Sequence, residues 1–76
     1  MKAHERTLEA KRQAVMAKKV KDALYQQEKT RVWLIKELEK EGIYTCATEM
    51  SEALHNARHG KKVMTVLTAS MAILGI

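Results

Sequence analysis

The stretch TRVWLIKELEKEGIYTCATEMSEALHNAR, residues 30–58, decides the fold that the sequence predicts. It reads as two amphipathic segments on either side of Gly42, the first glycine of the chain. Glycine tolerates the left-handed conformation that ends helices, so Gly42 marks the end of the first segment. Thr30 precedes that segment, and its hydroxyl can accept a hydrogen bond from a backbone N–H of the first turn. The sequence therefore predicts two short helices joined by a turn.

Each of these helices carries one apolar face. In the first, the residues expected to be buried are Val32, Leu34, Ile35 and Leu38, with Trp33 beside them packing against the preceding helix. The second is expected to begin after a cap at Thr45 and to run to about His55, where Asn56 can adopt the conformation that ends a helix. Its inward positions are Ala47, Met50, Ala53 or Leu54, and Ala57. Its outward positions are short and polar: Thr48, Glu49, Ser51, Glu52 and His55.

The composition favours helices along the whole chain. The 76 residues include 3 Gly and neither Pro nor Phe, so turn chemistry for sheets is almost absent. A chain of this length fits one small domain, which needs tight helix packing or a partner subunit. The sequence predicts an all-α domain of four or five helices.

The N-terminal segment, from Ala3 to about Gln27, has no helix breaker. It fits either one long helix or a basic arm followed by a shorter helix. Its apolar stripe is thin before Val15, so we expect the core helix to begin at about Ala17. Residues 1–16 are then a basic helical extension, and residues 17–76 are the folded domain.

The C-terminal segment, Lys61 to about Leu74, is apolar on nearly every side. We expect it to close the core and to offer its remaining surface to a second copy of the chain. Thr65, Thr68 and Ser70 interrupt it, and it is shorter than the ~20 residues that span a bilayer. A buried helix is therefore expected here, and no membrane anchor.

Charge is concentrated at the two ends of the chain. Of the net charge of +5, residues 1–21 contribute +5, residues 22–54 contribute −3 and residues 55–76 contribute +3. Basic ends suit a polyanionic partner. The single Cys46 allows no internal disulfide, and the first residues do not form the apolar run of a signal peptide. We expect a cytoplasmic protein.

The runs SEALHNARHGKKVMTVLTASMAILGI and TRVWLIKEL resemble parts of small phage and mobile-element regulators of the Cro and lambda-repressor type. In that family the recognition helix ends Ser-x-x-Leu-Asn-Gly-x-Arg, and a basic turn and an apolar helix ending Ile-Leu-Gly follow. The matching positions are Ser51, Leu54, Arg58, Gly60, Ile73, Leu74 and Gly75. Asn56 replaces the usual glycine, and Arg31 stands where many members carry glutamine. The resemblance covers about residues 20–76 and implies a lambda-repressor-like helix-turn-helix with an N-terminal helical extension.

These features predict a small transcriptional regulator that binds double-stranded DNA, with a recognition helix at about 46–56 in the major groove. The side chains expected to read base edges are Thr48, Glu49, Ser51, Glu52 and His55. The residues expected to contact phosphates are Thr30, Arg31, Asn56, Arg58, Lys61 and Lys62. One module of this size touches few base pairs, so we expect a homodimer through the C-terminal helix.

Other functions have less support in the sequence. His55 and His59 have metal-ligand spacing and Cys46 is near, but the paired cysteines of a structural zinc site are missing, so no metal or cofactor is expected. We expect no enzyme, because no nucleophile-base pair or phosphate loop is present. The main alternative is a phage-type helical protein that binds and modulates a host protein. A basic N-terminal helix on a membrane has less support, because the apolar stripe of this segment is thin before Val15.

Overall fold

Four α-helices make up most of the residues that the structure, a computed structural model, describes: residues 3–55, 57 and 60–76, with side chains from residue 8 onward. They are α1 (Ala3–Gln26), α2 (Arg31–Lys40), α3 (Ala47–Leu54) and α4 (Lys61–Leu74). The described residues contain no strand. The all-α prediction is confirmed, and the domain is compact, with a radius of gyration of 12.1 Å.

The first helix is continuous over 24 residues and passes through the boundary predicted between residues 16 and 17. Of the two arrangements considered for this segment, one long helix is the one observed. From residue 8 onward, the first buried side chain is that of Gln13, which is 1 % exposed and lies one turn before Ala17. The last turns of the predicted extension therefore take part in the core.

All four helices contribute to one apolar core. α4 packs against α1 and α2, and α3 packs against the same two helices. The buried apolar residues are Ala17, Val20, Ala23, Leu24, Leu34, Leu38, Met50, Ala53, Leu54, Val63, Val66, Leu67 and Leu74. Burying one large apolar side chain of this kind contributes about 1.5–3 kcal/mol, so this core is the main source of stability for the small domain.

The helices α1 and α4 run parallel. The N-terminal half of α1 shares a groove with Met64, in the first turn of α4. At the other end, Gln27 Nε2 donates a hydrogen bond of 2.9 Å to the carbonyl oxygen of Leu74. Because α2 starts four residues after Gln27, its N-terminus lies toward the C-terminal end of α4.

The start of α2 agrees with the sequence analysis. Thr30 has an extended backbone, and its hydroxyl accepts a hydrogen bond of 3.0 Å from the Trp33 N–H. The buried face centres on Leu34 and Leu38. The prediction that Val32 is buried is wrong, since 59 % of it is exposed. Two residues along a helix are about 200° apart, which places Val32 opposite Leu34.

The start of α3 differs from the sequence analysis. Cys46, one residue after the predicted Thr45, is the N-cap, and its side chain makes no capping hydrogen bond. The Thr45 hydroxyl instead donates to Glu49 Oε1 at 3.0 Å. The predicted cap at Thr45 is therefore wrong, and the Thr45 side chain instead holds the Glu49 carboxylate by a hydrogen bond.

A hydrogen bond from a backbone N–H to the carbonyl five residues earlier follows the end of each helix. The four pairs are Lys29 to Leu24, Ile43 to Leu38, Ala57 to Glu52 and Ile76 to Met71. Such bonds belong to the Schellman ending, which has a left-handed residue just before the donor. Gly42 supplies that conformation after α2, with φ of 82°, and Glu28 supplies it after α1, with φ of 56°. The same expectation for Asn56 lies outside the described residues.

The last helix has the bounds that the sequence predicts, Lys61–Leu74. Its large buried side chains lie within the domain core, and Ser70 among them donates to the Val66 carbonyl at 2.6 Å. The opposite side is exposed and carries Lys61, Thr65, Thr68 and Ala72. No described helix has both the length and the hydropathy that a membrane span needs.

Candidate nucleic-acid interface

The outer side of α3 carries four of the five residues predicted to read bases. Thr48 and His55 are exposed, and Ser51 and Glu52 are half-buried. They occupy about 100° of the helix surface, opposite the buried Met50. The structure therefore places a short polar surface, Thr48, Ser51, Glu52 and His55, on the solvent side of α3. We call these four residues the α3 outer face.

Glu49, the fifth predicted base reader, points toward α4. Its side chain is 28 % exposed, and its Oε1 accepts hydrogen bonds of 3.0 Å from Lys62 Nζ and 3.0 Å from the Thr45 hydroxyl. The structure therefore brings Glu49 and Lys62 together, although 13 residues separate them in the sequence.

A cavity of about 260 Å³ separates α3 from the start of α4. Its lining residues are Thr45, Glu49, Ala53, Gly60, Lys61, Lys62, Val63 and Val66. Gly60 is the N-cap of α4, and as a glycine it has no side chain with which to cap the helix. Two exposed lysines, Lys61 and Lys62, and the N–H groups of the first turn of α4 therefore lie beside α3.

Ser51 and His55 interact within α3. His55 Nδ1 lies 2.9 Å from the Ser51 carbonyl oxygen and 3.4 Å from the Ser51 hydroxyl. A carbonyl only accepts hydrogen bonds, so Nδ1 carries a hydrogen in this arrangement. The ring is thereby oriented along the helix, and Nε2 is the nitrogen left for a partner outside the domain.

The residues at the start of α2 form a second group. Arg31 is exposed, and Thr30 is exposed while its oxygen caps the helix. Trp33 is half-buried and packs against the core, which favours the structural role predicted for it over a stacking platform. Lys29 Nζ lies 4.7 Å from the centre of its ring, a cation–π distance.

The two groups of predicted phosphate contacts lie at opposite ends of α4. Lys61 and Lys62 begin this 14-residue helix, and Thr30 and Arg31 lie toward its C-terminal end. A helix of that length spans about 20 Å. The remaining two predicted phosphate contacts, Asn56 and Arg58, lie outside the described residues.

Sequence reasoning missed two features of this region. The hydrogen bond from Thr45 to Glu49 follows a spacing of four residues, which the sequence could have signalled. The ion pair between Glu49 and Lys62 joins two helices and depends on the tertiary fold, so no local sequence pattern predicts it.

A metal site finds no support among the described residues. No group of three His, Cys, Asp or Glu side chains that could hold a metal ion is present in that part of the chain. Cys46 is exposed with a free thiol, and His59 lies outside the described residues.

At the level of class, the described residues define a compact all-α domain of four helices. Comparison of the chain with family models, curated proteins and solved structures finds no match.

Proposed function

We propose that this chain is a small helix-turn-helix regulator that binds double-stranded DNA, with α3 in the major groove. The observation that carries the proposal is the position of Lys61 and Lys62 beside α3. A polar helix surface next to cationic side chains and free helix N–H groups matches what base edges and the neighbouring phosphates require.

In this proposal the start of α4 binds a phosphate on one side of the groove. Lys61 and Lys62 supply the charge, Arg58, three residues before Lys61 in the sequence, adds to it, and the N–H groups of the first turn point at the oxyanion. Each such contact releases condensed counterions, and this part of the binding free energy is independent of sequence and sensitive to salt.

Arg31 and the Thr30 hydroxyl bind phosphate on the other side of the groove. Thr30 accepts a hydrogen bond from Trp33 with its oxygen, so its own hydrogen remains available for donation. The two groups are separated along a helix about 20 Å long, more than the major-groove width of about 12 Å, and in this proposal they contact phosphates of the two strands that flank the groove.

The α3 outer face reads the bases. Thr48 and Ser51 suit several bases, Glu52 can accept from cytosine N4, and His55 presents Nε2. Glu49 has a different role from the one that the sequence predicts, because its carboxylate already accepts from Lys62 and Thr45. We assign it to an ion pair with Lys62 beside the α3 outer face, and not to base reading.

A homodimer completes the proposal, since two half-sites one helical turn apart give a small module enough contacts. The expected interface is the C-terminal helix. Its exposed side presents Thr65, Thr68 and Ala72, which are small or polar, while its buried apolar side chains lie in the core. The dimer through α4 stays a prediction, and sedimentation with and without duplex tests it.

The test is a salt titration of binding to a random DNA duplex. The logarithm of the affinity should fall steeply with the logarithm of the salt concentration, and each of Arg58→Ala, Lys61→Ala and Lys62→Ala should reduce that slope by about 1. Lys36→Ala is the matched control, because Lys36 is an exposed lysine of α2 opposite its buried face.

Two results would contradict the proposal. One is the absence of duplex binding at low salt. The other is an equal loss of slope in Lys36→Ala and Lys61→Ala, which would mean that only total charge matters and that no surface is specifically used.

A further inference from the structure

A shallow apolar groove lies between the N-terminal half of α1 and the start of α4. Its volume is about 410 Å³, and its lining residues are Leu8, Lys11, Arg12, Val15, Met16 and Met64. Leu8 is 42 % exposed and Val15 is 55 % exposed, although large apolar side chains of this size usually gain by burial. We call this the α1–α4 groove.

The groove is distinct from the α3 outer face. Met64, which lines the groove, follows Lys62 by two residues, and Lys62 contacts Glu49 of α3. Two residues on a helix point about 200° apart, so the groove and α3 lie on opposite flanks of α4. A ligand in the groove therefore leaves the proposed DNA surface uncovered.

The shape and spacing of the groove suit a helix. Leu8 and Val15 are seven residues apart, the heptad spacing at which one helix receives the side chains of another. Met16 and Met64 are unbranched, and methionines adapt their shape to the apolar residues that enter a groove.

The charge around the groove selects among occupants. Between residues 8 and 22 of α1 there are five basic side chains and two acids, Glu9 and Asp22, and Asp22 pairs with Lys18 at 2.8 Å. Lys11 and Arg12 line the groove themselves and are exposed. A second copy docked in register would bring like charges together, whereas an acidic helix would pair with them. The apolar centre distinguishes the groove from a surface that binds nucleic acid only by charge.

We infer that the α1–α4 groove binds an acidic amphipathic helix of a partner protein. Apolar side chains of that helix cover Leu8 and Val15, and its carboxylates pair with Lys11 and Arg12. The inference stands independently of DNA binding, because it rests on different residues. It gives the basic N-terminal helix a role that the proposed DNA contacts do not include.

The experiment uses fluorescence anisotropy with the full chain and a labelled synthetic peptide of roughly 14 residues, four helical turns. The peptide carries leucines at helical spacing on one face and glutamates elsewhere. One control peptide has the same composition in scrambled order, and another has lysine in place of glutamate. We expect binding of the acidic amphipathic peptide only.

Val15→Glu should weaken that binding at least about tenfold, because it places a charge in the centre of the groove. Tyr25→Glu is its matched control, since Tyr25 lies on the same helix, outside the groove, and is 87 % exposed. The double variant Lys11→Glu with Arg12→Glu should also lose binding without touching the core. Its control is Lys36→Glu with Lys40→Glu on α2, and circular dichroism checks that every variant is folded.

Several outcomes would overturn the inference. They are no binding of the acidic peptide, equal binding of the scrambled peptide, or equal losses in Val15→Glu and Tyr25→Glu. Two further results would assign the groove to another occupant. Self-association of the chain that Val15→Glu abolishes would assign it to a second copy, and Val15-dependent binding to phosphatidylserine vesicles without peptide binding would assign it to a membrane.

Discussion

Gln13 is a polar side chain on the buried side of α1. It is 1 % exposed, and neither its Nε2 nor its Oε1 has a hydrogen-bond partner among the described residues. A buried amide without partners loses its hydrogen bonds to water and gains none in return. The buried Gln13 side chain therefore lowers the free energy of unfolding.

We predict that Gln13→Met stabilises the domain by about 1 kcal/mol, because the thioether has similar length and needs no hydrogen bond. Urea unfolding followed by circular dichroism measures the change. Gln26→Met, at an exposed position of the same helix, should have little effect. A clear loss of stability in Gln13→Met would show that the amide has a partner outside the described residues.

Glu28 adopts the left-handed conformation after α1, with φ of 56°. A residue with a Cβ pays for this conformation and glycine does not, so Glu28→Gly should raise the free energy of unfolding by about 0.5–1 kcal/mol. Glu41→Gly removes the same charge at a position with φ of −88°, where glycine gives no such relief. Thermal unfolding of the two variants measures both changes in stability. An equal or larger gain of stability in Glu41→Gly would contradict the explanation by backbone strain at Glu28.

Glu49 gives a prediction that separates its two candidate roles. If its carboxylate pairs with Lys62 and reads no base, Glu49→Gln should tighten binding to duplexes of any sequence, by roughly threefold to tenfold, because a negative charge leaves the interface and Lys62 is released from its ion pair. The comparison is Glu52→Gln, which should change the preference among sequences, since Glu52 lies on the α3 outer face. Competition binding with several duplexes measures both, and a sequence-dependent effect of Glu49→Gln would restore the base-reading role.

At the scale of elements, the sequence predicted helix ends best where the chemistry of a single residue determines them. Thr30 caps α2 and Gly42 follows its end, because hydrogen bonding at the cap and a positive φ are properties of single residues. Val32 was predicted to be buried because it is apolar, but its angular position on α2 decides its exposure. Cys46 caps α3 without a side-chain bond, and no local preference of cysteine announces that.

The two threonines give a prediction about helix caps. Thr30→Ala should lower the free energy of unfolding by about 1 kcal/mol, since the N–H of Trp33 loses its partner. Thr45→Ala should lower the free energy of unfolding by less. The Thr45 hydroxyl bonds to the side chain of Glu49 and caps no backbone N–H of α3. Urea denaturation of both variants measures the difference, and an equal or reversed order would contradict the cap assignments.

At the scale of the whole molecule, charge and hydropathy predicted the class of fold. They did not predict how the charged residues are arranged around α3 and α4. The apolar pattern was enough to predict an all-α domain closed by α4. The parallel arrangement of α1 and α4 was not predictable, because it depends on contacts between residues far apart, such as Gln27 and Leu74. That arrangement places Lys61 and Lys62 beside α3 and leaves the α1–α4 groove on the other flank of α4.

The most direct measurement of the central claim is the change in backbone amide chemical shifts when a DNA duplex is added to the ¹⁵N-labelled chain. The proposal predicts the largest changes at residues 48–55 and 60–62, smaller ones at Thr30 and Arg31, and little change at residues 8–16. Changes concentrated on residues 8–16, or none along α3, would contradict the assignment of α3 as the helix that enters the groove.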